Sequence, residues 1–281
     1  MRIKLTVAYD GTDYRGWMHH KGQRTVQCTL KEAVRRVSGE EIEIIGASRT
    51  DAGAHARGQV CHFDCNVNVP VTQWVYAMNR VLPSDLAVMK AQLVRDNFNA
   101  RFSAADRFYR YRILTGHRDP MKERFAYHWG NELNLELMQQ AAAMLTGEHD
   151  FGAYTEELEY SVVNTVRELF RVDVRQVRDE VWVDVVGTAF LRGMMRRMSG
   201  AILEVGRGYR DVVEVSRLLQ PEERLKYQWP VVLPAKGLCL MKIRYGRHPR
   251  DNRESSNSFN QESNLEKEIG KENESNIHQQ G

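Results

Sequence analysis

Apolar and polar positions alternate through residues 3–9 (IKLTVAY), placing Ile3, Leu5, Val7 and Tyr9 on one face of a predicted strand. Leu30, Ala33, Val34 and Val37 then recur at helical spacing, and Gly39 ends that amphipathic helix. Two further strand patterns, 41–45 and 58–65, flank a loop of small and polar residues. Trp74, Ala77, Met78, Val81 and Leu82 mark a second helix stopped by Pro83, and residues 86–94 read as a strand. The predicted order is β-α-β-β-α-β. It then returns. Residues 107–114 alternate as a strand, and Leu137, Met138, Ala141, Ala142 and Leu145 form a helix ended at Gly147. A strand pair follows at 168–176 and 181–187. Leu191, Met194, Met195, Met198, Ala201, Ile202 and Val205 line a long helix before Gly206, and 237–245 is the last strand.

Two successive split-βαβ units predict an α+β protein of two ferredoxin-like halves, with their sheets joined or facing each other across a central cleft. The pattern divides the chain into 1–103, 104–246 and a polar acidic tail, 247–281. Residues 250–281 are rich in Asn, Ser, Glu and Gln. They hold too few apolar residues to offset the entropy of ordering, so a disordered tail is expected, with a short helix around 262–269 only marginal. The methionines of the long helix are expected in the core.

Composition narrows the class. Of 281 residues, 42% are hydrophobic and 27% charged, which is ordinary for a soluble protein. No window approaches eighteen consecutive apolar residues, so no membrane-spanning helix is expected. The opening MRIKLTVAYD reads as a strand, without the apolar core or cleavage site of a secretory leader. Together with only four cysteines, this leads us to expect a cytoplasmic protein with reduced thiols. Cys61, His62 and Cys65 do not make a metal site by pattern, because a strand turns His62 away from the two cysteines. From Asp251 onward seven acids face three bases, so that stretch carries −4; with +3 for the whole chain, the body carries +7. An arginine-rich basic body favours a polyanionic partner.

The loop GASRTDAGAHA, residues 46–56, holds the sharpest candidate chemistry. Asp51 is either a cap or ion-pair partner, or a catalytic carboxylate approached closely because small residues surround it. Tyr109 and Tyr111, in FYRYR, share a strand face with Arg107 and are either core packing or a surface for stacking bases. Arg192 and Arg196, four apart, read either as a solvated helix face or as arginines entering the cleft. Lys21, Arg24, Lys31, Arg35 and Arg36 offer a phosphate path.

These motifs resemble the tRNA pseudouridine synthase A family. SRTDAGAHA is similar to that family's catalytic loop, GRTDAGVHA. YDGTDYRGW followed by RTVQ, then GQVCHF, AMNRVLPSDL, FNARFSA, RFYRYRI, GEHDF, FLRGMMRRMSGAILEVGRG and AKGLCL occur in the family's order across residues 1–246. Ser48 stands in place of the usual Gly, Ala54 of Val, Met18 of Gln and Thr188 of Asn. The resemblance implies the pseudouridine synthase fold and isomerisation of uridine to pseudouridine at positions 38 to 40 of tRNA, in the anticodon stem-loop. It implies a homodimer that binds tRNA and needs no cofactor or metal. It places Asp51 on the catalytic aspartate and Arg49 on the arginine that fills the space left by the flipped nucleotide. It places Tyr109 on the tyrosine that stacks on the target base, and Arg196 on the partner of the aspartate. His55 matches the family and reads as loop support.

Two rival readings differ in chemistry. A non-catalytic RNA-binding relative, or a divergent paralogue with another RNA target, explains the charge and the tyrosines but leaves Asp51 without a task. A carboxylate-pair hydrolase needs a second acid; Asp150 is the one available, and its place suits a helix end better.

Overall fold

The computed structural model describes residues 1–67, 69–155 and 164–246. The first half contains β1 (Arg2–Tyr9), α1 (Val26–Ser38), β2 (Ile45–Gly46), β3 (His55–Asp64), α2 (Val71–Val81) and β4 (Leu86–Val94). The second contains β5 (Ala104–Leu114), a two-residue β6 (Tyr127–His128), α3 (Leu135–Met144), β7 (Gly147–Asp150), β8 (Val166–Val177) and β9 (Glu180–Gly187). It ends with α4 (Met194–Gly206), α5 (Val212–Arg217) and β10 (Leu238–Tyr245). Residues 1–244 make one compact unit. The tail and the marginal helix expected near 262–269 lie outside the described residues.

The ten strands among the described residues join one sheet, in the order β4-β1-β3-β10-β5-β9-β8-β7, with β2 added to β3 and β6 to β5. The predicted α+β class and the ferredoxin-like order recur in both halves. β4-β1-β3-β2 is one split-βαβ sheet, and β10-β5-β9-β8 is the other. The halves meet where β10 runs parallel to β3, with Cys239 opposite His55 and Leu240 opposite Ala56. Farther along the same edge β2 pairs antiparallel, Ile45 with His62 and Gly46 with Cys61.

This shared edge corrects one expectation. The predicted strand 41–45 shrinks to Ile45–Gly46. Ile44 is still buried, but the Gln27 side-chain amide donates to its carbonyl, a role a ladder partner would otherwise take. Alternation survives without a partner strand. β3 in turn begins three residues earlier than predicted, at His55. β6, β7 and α5 are too short to leave a periodic signature and were not expected.

On β5, Arg107, Tyr109, Tyr111 and Ile113 are buried and the residues between them are half-exposed. Tyr109 lies opposite Val185 and Tyr111 opposite Val183 on β9, so these side chains share a face. α3 packs on β8 and on α4. Met194, Met195 and Met198 are buried, as expected for a core stripe. α4 starts at Met194, three residues later than the pattern suggests. Gly193 before it adopts φ +69°, a left-handed conformation that breaks the helix path. Arg192 therefore lies off the helix, and its carbonyl accepts the Thr155 hydroxyl proton at 3.0 Å.

The far end of α4 is anchored by a buried ion pair. Arg210 Nε lies 3.0 Å from Glu204 Oε2, and each side chain is 2% exposed. Arg210 also donates to the Gln228 carbonyl at 2.8 Å and pairs with Glu214 at 3.1 Å. Removing one partner leaves a buried charge uncompensated. Arg210→Leu is expected to cost about 3–5 kcal/mol in urea unfolding, and Glu204→Leu/Arg210→Leu less than the single variant. A double variant as unstable as the single one would show that packing, not the stranded charge, sets the cost.

Candidate active site

Residues 47–54 leave the sheet at the seam between the halves, and neighbouring groups hold them almost residue by residue. Ala47 donates its N–H to the Val60 carbonyl at 2.8 Å. Ser48 is clamped by the fully buried Gln59, whose Nε2 donates to the Ser48 carbonyl at 2.6 Å while its Oε1 accepts the Ser48 N–H at 3.3 Å. The Thr50 hydroxyl lies 2.8 Å from the Tyr9 hydroxyl, and the Thr50 carbonyl accepts the Trp17 N–H at 3.1 Å. Ala54 N–H closes the turn onto the Asp51 carbonyl at 3.1 Å, and Gly53 N–H reaches the Tyr14 carbonyl at 3.2 Å. Just before the loop, Gly46 lies against the Trp17 ring, where a Cβ would sit 2.3 Å from ring carbon. Only a residue without a side chain fits there.

This scaffold leaves Asp51 partly exposed. Arg196, in the first turn of α4, brings Nη1 to 3.5 Å from Asp51 Oδ2, with side-chain exposures of 19% and 24% respectively. Arg196 is fixed from behind, its Nε donating to the Leu233 carbonyl at 2.6 Å. A carboxylate from one half thus meets a guanidinium from the other. Arg49, also from the loop, has an exposed side chain. Tyr109 is 4% exposed. Its hydroxyl lies 2.7 Å from Ser48 Oγ, and its ring meets Phe190 edge-to-face at 4.9 Å. Burial, with a smaller contribution from the Asp51 charge, pushes the phenol up to about 12, so it is neutral near neutral pH.

Arg107 and Phe190 were not singled out for this site from sequence. Arg107 is buried, and its guanidinium donates to the carbonyls of Ala47 at 3.3 Å, Arg101 at 2.7 Å and Thr188 at 2.5 Å. It ties the start of the loop to the segment that leads into α4. A signal existed: alternation puts Arg107 on the same face as Tyr109, and an arginine on a buried face needs acceptors.

The other candidates resolve differently. Cys61, His62 and Cys65 are buried packing residues, and His62 Nδ1 accepts the Ala100 N–H at 3.1 Å. Asp150 Oδ1 accepts the Gly152 N–H at 2.7 Å, at the start of a short 3-10 turn, and the Thr165 hydroxyl proton at 2.6 Å. The expected phosphate path is largely neutralised: Arg24 pairs with Asp85, Lys31 with Glu43, and Arg35 and Arg36 with Glu32. Among the described residues no three His, Cys, Asp or Glu gather as metal ligands.

A family model described as tRNA pseudouridine synthase matches residues 5–103 and 141–246. The first stretch holds Arg49 and Asp51 and the second Arg196, while Tyr109 falls between them. The chain belongs to the tRNA pseudouridine synthase family. It is 41% identical over 250 residues to a tRNA pseudouridine synthase A of Syntrophotalea carbinolica, covering 89% of this chain and 97% of that one. With the proteins of that name from Brevibacillus brevis and Bacillus subtilis it shares 39% and 38% identity, covering 87% of this chain and 99% of each. Among solved structures, a chain of an archaeal box H/ACA sRNP Nop10-Cbf5 complex aligns over 72% of this chain and 43% of its own. At 11% identity and a TM-score of 0.31, it is too distant to place any residue of the site. The reaction denoted by the family name is the isomerisation of uridine in tRNA to pseudouridine.

His55 supports the loop from the seam. Its Nδ1 accepts the Gly11 N–H at 3.0 Å and its Nε2 lies 3.2 Å from the Lys236 carbonyl, so the neutral ring with its proton on Nε2 satisfies both. Burial holds its pKa below the ordinary 6.5, despite the opposing pull of Asp10. The unfolded chain therefore takes up this proton first as pH falls, and stability is lost below about pH 6.5. The thermal midpoint of the wild type is expected to drop more steeply from pH 7 to 5 than that of His55→Gln, which keeps a donor and an acceptor. Parallel curves would mean that the folded protein holds His55 at the same pKa as the unfolded chain.

Proposed function

We propose that this chain isomerises uridine to pseudouridine in the anticodon stem-loop of tRNA, at tRNA positions 38 to 40, with Asp51 as its catalytic carboxylate. The observation that carries this is the Asp51–Arg196 pair: a rigidly held, partly exposed carboxylate meets a cation at the junction of the two halves. The halves 1–103 and 104–246 act as the two walls of the cleft. The protein works as a cytoplasmic homodimer.

The reaction breaks the N1–C1′ bond, turns the uracil and joins C5 to C1′. A base stacked in a stem has no room to turn, so it is flipped out at a cost of a few kcal/mol, offset by contacts in the pocket. Arg49, already exposed, takes the vacated space in the RNA. Asp51 attacks C1′ or stabilises the positive charge on the ribose as the uracil leaves. Arg196 orients the carboxylate. The neutral Tyr109 ring supplies a flat surface for the detached uracil, and the base takes the place against it now held by Phe190.

The test is tritium release from tRNA containing 5-³H-uridine. The wild type is expected to release tritium and Asp51→Ala to release none, with tRNA binding retained. Arg196→Met is expected to slow release by about 10²-fold through misplacement of the carboxylate. Equal release by wild type and Asp51→Ala would move the chemistry elsewhere, and free uracil in the products would make the protein a hydrolase. Binding without release by either would leave an RNA-binding relative.

A further inference from the structure

Ser48 directly precedes Arg49 in the loop, and its position is unusually well determined. Two hydrogen bonds to the fully buried Gln59 fix its backbone, one at the N–H and one at the carbonyl. Only the side-chain torsion remains free, and it aims the hydroxyl at the Tyr109 hydroxyl, 2.7 Å away. The contact joins residues 61 positions apart, from opposite halves. The Tyr109 ring meets Phe190 edge-to-face at 4.9 Å, at the place the base takes in the scheme above.

The phenol oxygen lies on the axis about which a tyrosine ring flips. A hydrogen bond there fixes the position of the far end of the ring, and hence the tilt of its long axis, while the close packing around a ring 4% exposed limits rotation about that axis. Tilt is the quantity that matters for a stacked base. A uracil detached from C1′ has to turn within one plane for C5 to arrive where N1 was. A ring free to tilt lets that plane wander. We propose that Ser48 is a positioning residue for the isomerisation, holding Tyr109 at the tilt against which the uracil turns. This inference rests on the synthase reading above. Ser48 touches neither the base nor the ribose in this scheme and exchanges no proton with them. It acts through Tyr109.

The experiment is a double-variant cycle on tritium release from 5-³H-uridine tRNA, with kcat and KM measured for wild type, Ser48→Ala, Ser48→Thr, Tyr109→Phe and Ser48→Ala/Tyr109→Phe. Ser48→Ala is expected to lower kcat about fivefold, the size of one lost hydrogen bond, with KM for tRNA unchanged. Ser48→Thr, which keeps the hydroxyl, restores kcat. Tyr109→Phe shows a similar loss, and the double variant loses no more than Tyr109→Phe alone, because both changes delete one bond. Losses that multiply, a loss confined to KM, or full kcat in Ser48→Ala with only a lowered melting temperature would each overturn the assignment. An active wild type with any of those outcomes refutes the Ser48 role alone. An inactive wild type refutes the synthase reading and this inference with it.

Discussion

β3 has a single edge facing away from β1, and two strands need it. β2 takes Cys61 and His62 near one end, and β10 takes His55 and Ala56 at the other. The chain between β2 and β3 cannot pair with an edge already occupied. It rises out of the sheet at the line where the two halves meet. Past Ala47, whose N–H still reaches the Val60 carbonyl on β3, the backbone groups in that rise must find partners elsewhere, because an unpaired buried peptide group is costly. Those partners come from Gln59, Tyr14, Trp17, Arg107 and the loop itself. The competition for one edge therefore produces both the exposed carboxylate and the rigidity that aims it.

The Asp51–Arg196 pair then has a geometric meaning more than an energetic one. Both partners are partly exposed, and such pairs contribute little to stability. What the pair does is register the two halves at the candidate site, with Arg196 fixed by the Leu233 carbonyl and Asp51 by its loop. Stability comes mainly from the apolar residues buried under α3 and α4, while the Arg210–Glu204 pair and the Arg107 clamp keep buried charges satisfied. Arg107 links the two roles, because it holds Ala47 and Thr188 together and so ties the loop to the approach to α4.

Much of the fold was legible because its signals are local. Alternation along 3–9 and 107–114, and the helical spacings of α1 and α3, depend on side-chain periods that a short window contains. The split-βαβ order followed from counting those windows. The failures have separate causes. The 41–45 strand looked complete because its alternation was complete, yet pairing depends on a partner edge that β10 had claimed from nearly two hundred residues away. The start of α4 was misplaced because Leu191 fits the stripe, whereas the left-handed turn at Gly193 breaks the path. Lys31 read as part of a phosphate path because its acid, Glu43, is a neighbour only once the chain is folded, whereas Glu32, three and four positions before Arg35 and Arg36 on the predicted helix, was a legible partner that was passed over.

By itself, then, the sequence determined the class of fold, the order of its elements and the loop that carries the candidate carboxylate. Composition and periodicity encode burial, and the motif around Asp51 names its residue types outright. The resemblance had paired Arg196 with Asp51, and the structure brings them to 3.5 Å; only the tertiary structure decided that Arg107 clamps the loop and that Ser48 reaches Tyr109. Those contacts span tens to more than a hundred positions along the chain. No local pattern records them, because they exist only when two separately folded strand edges are brought into one sheet.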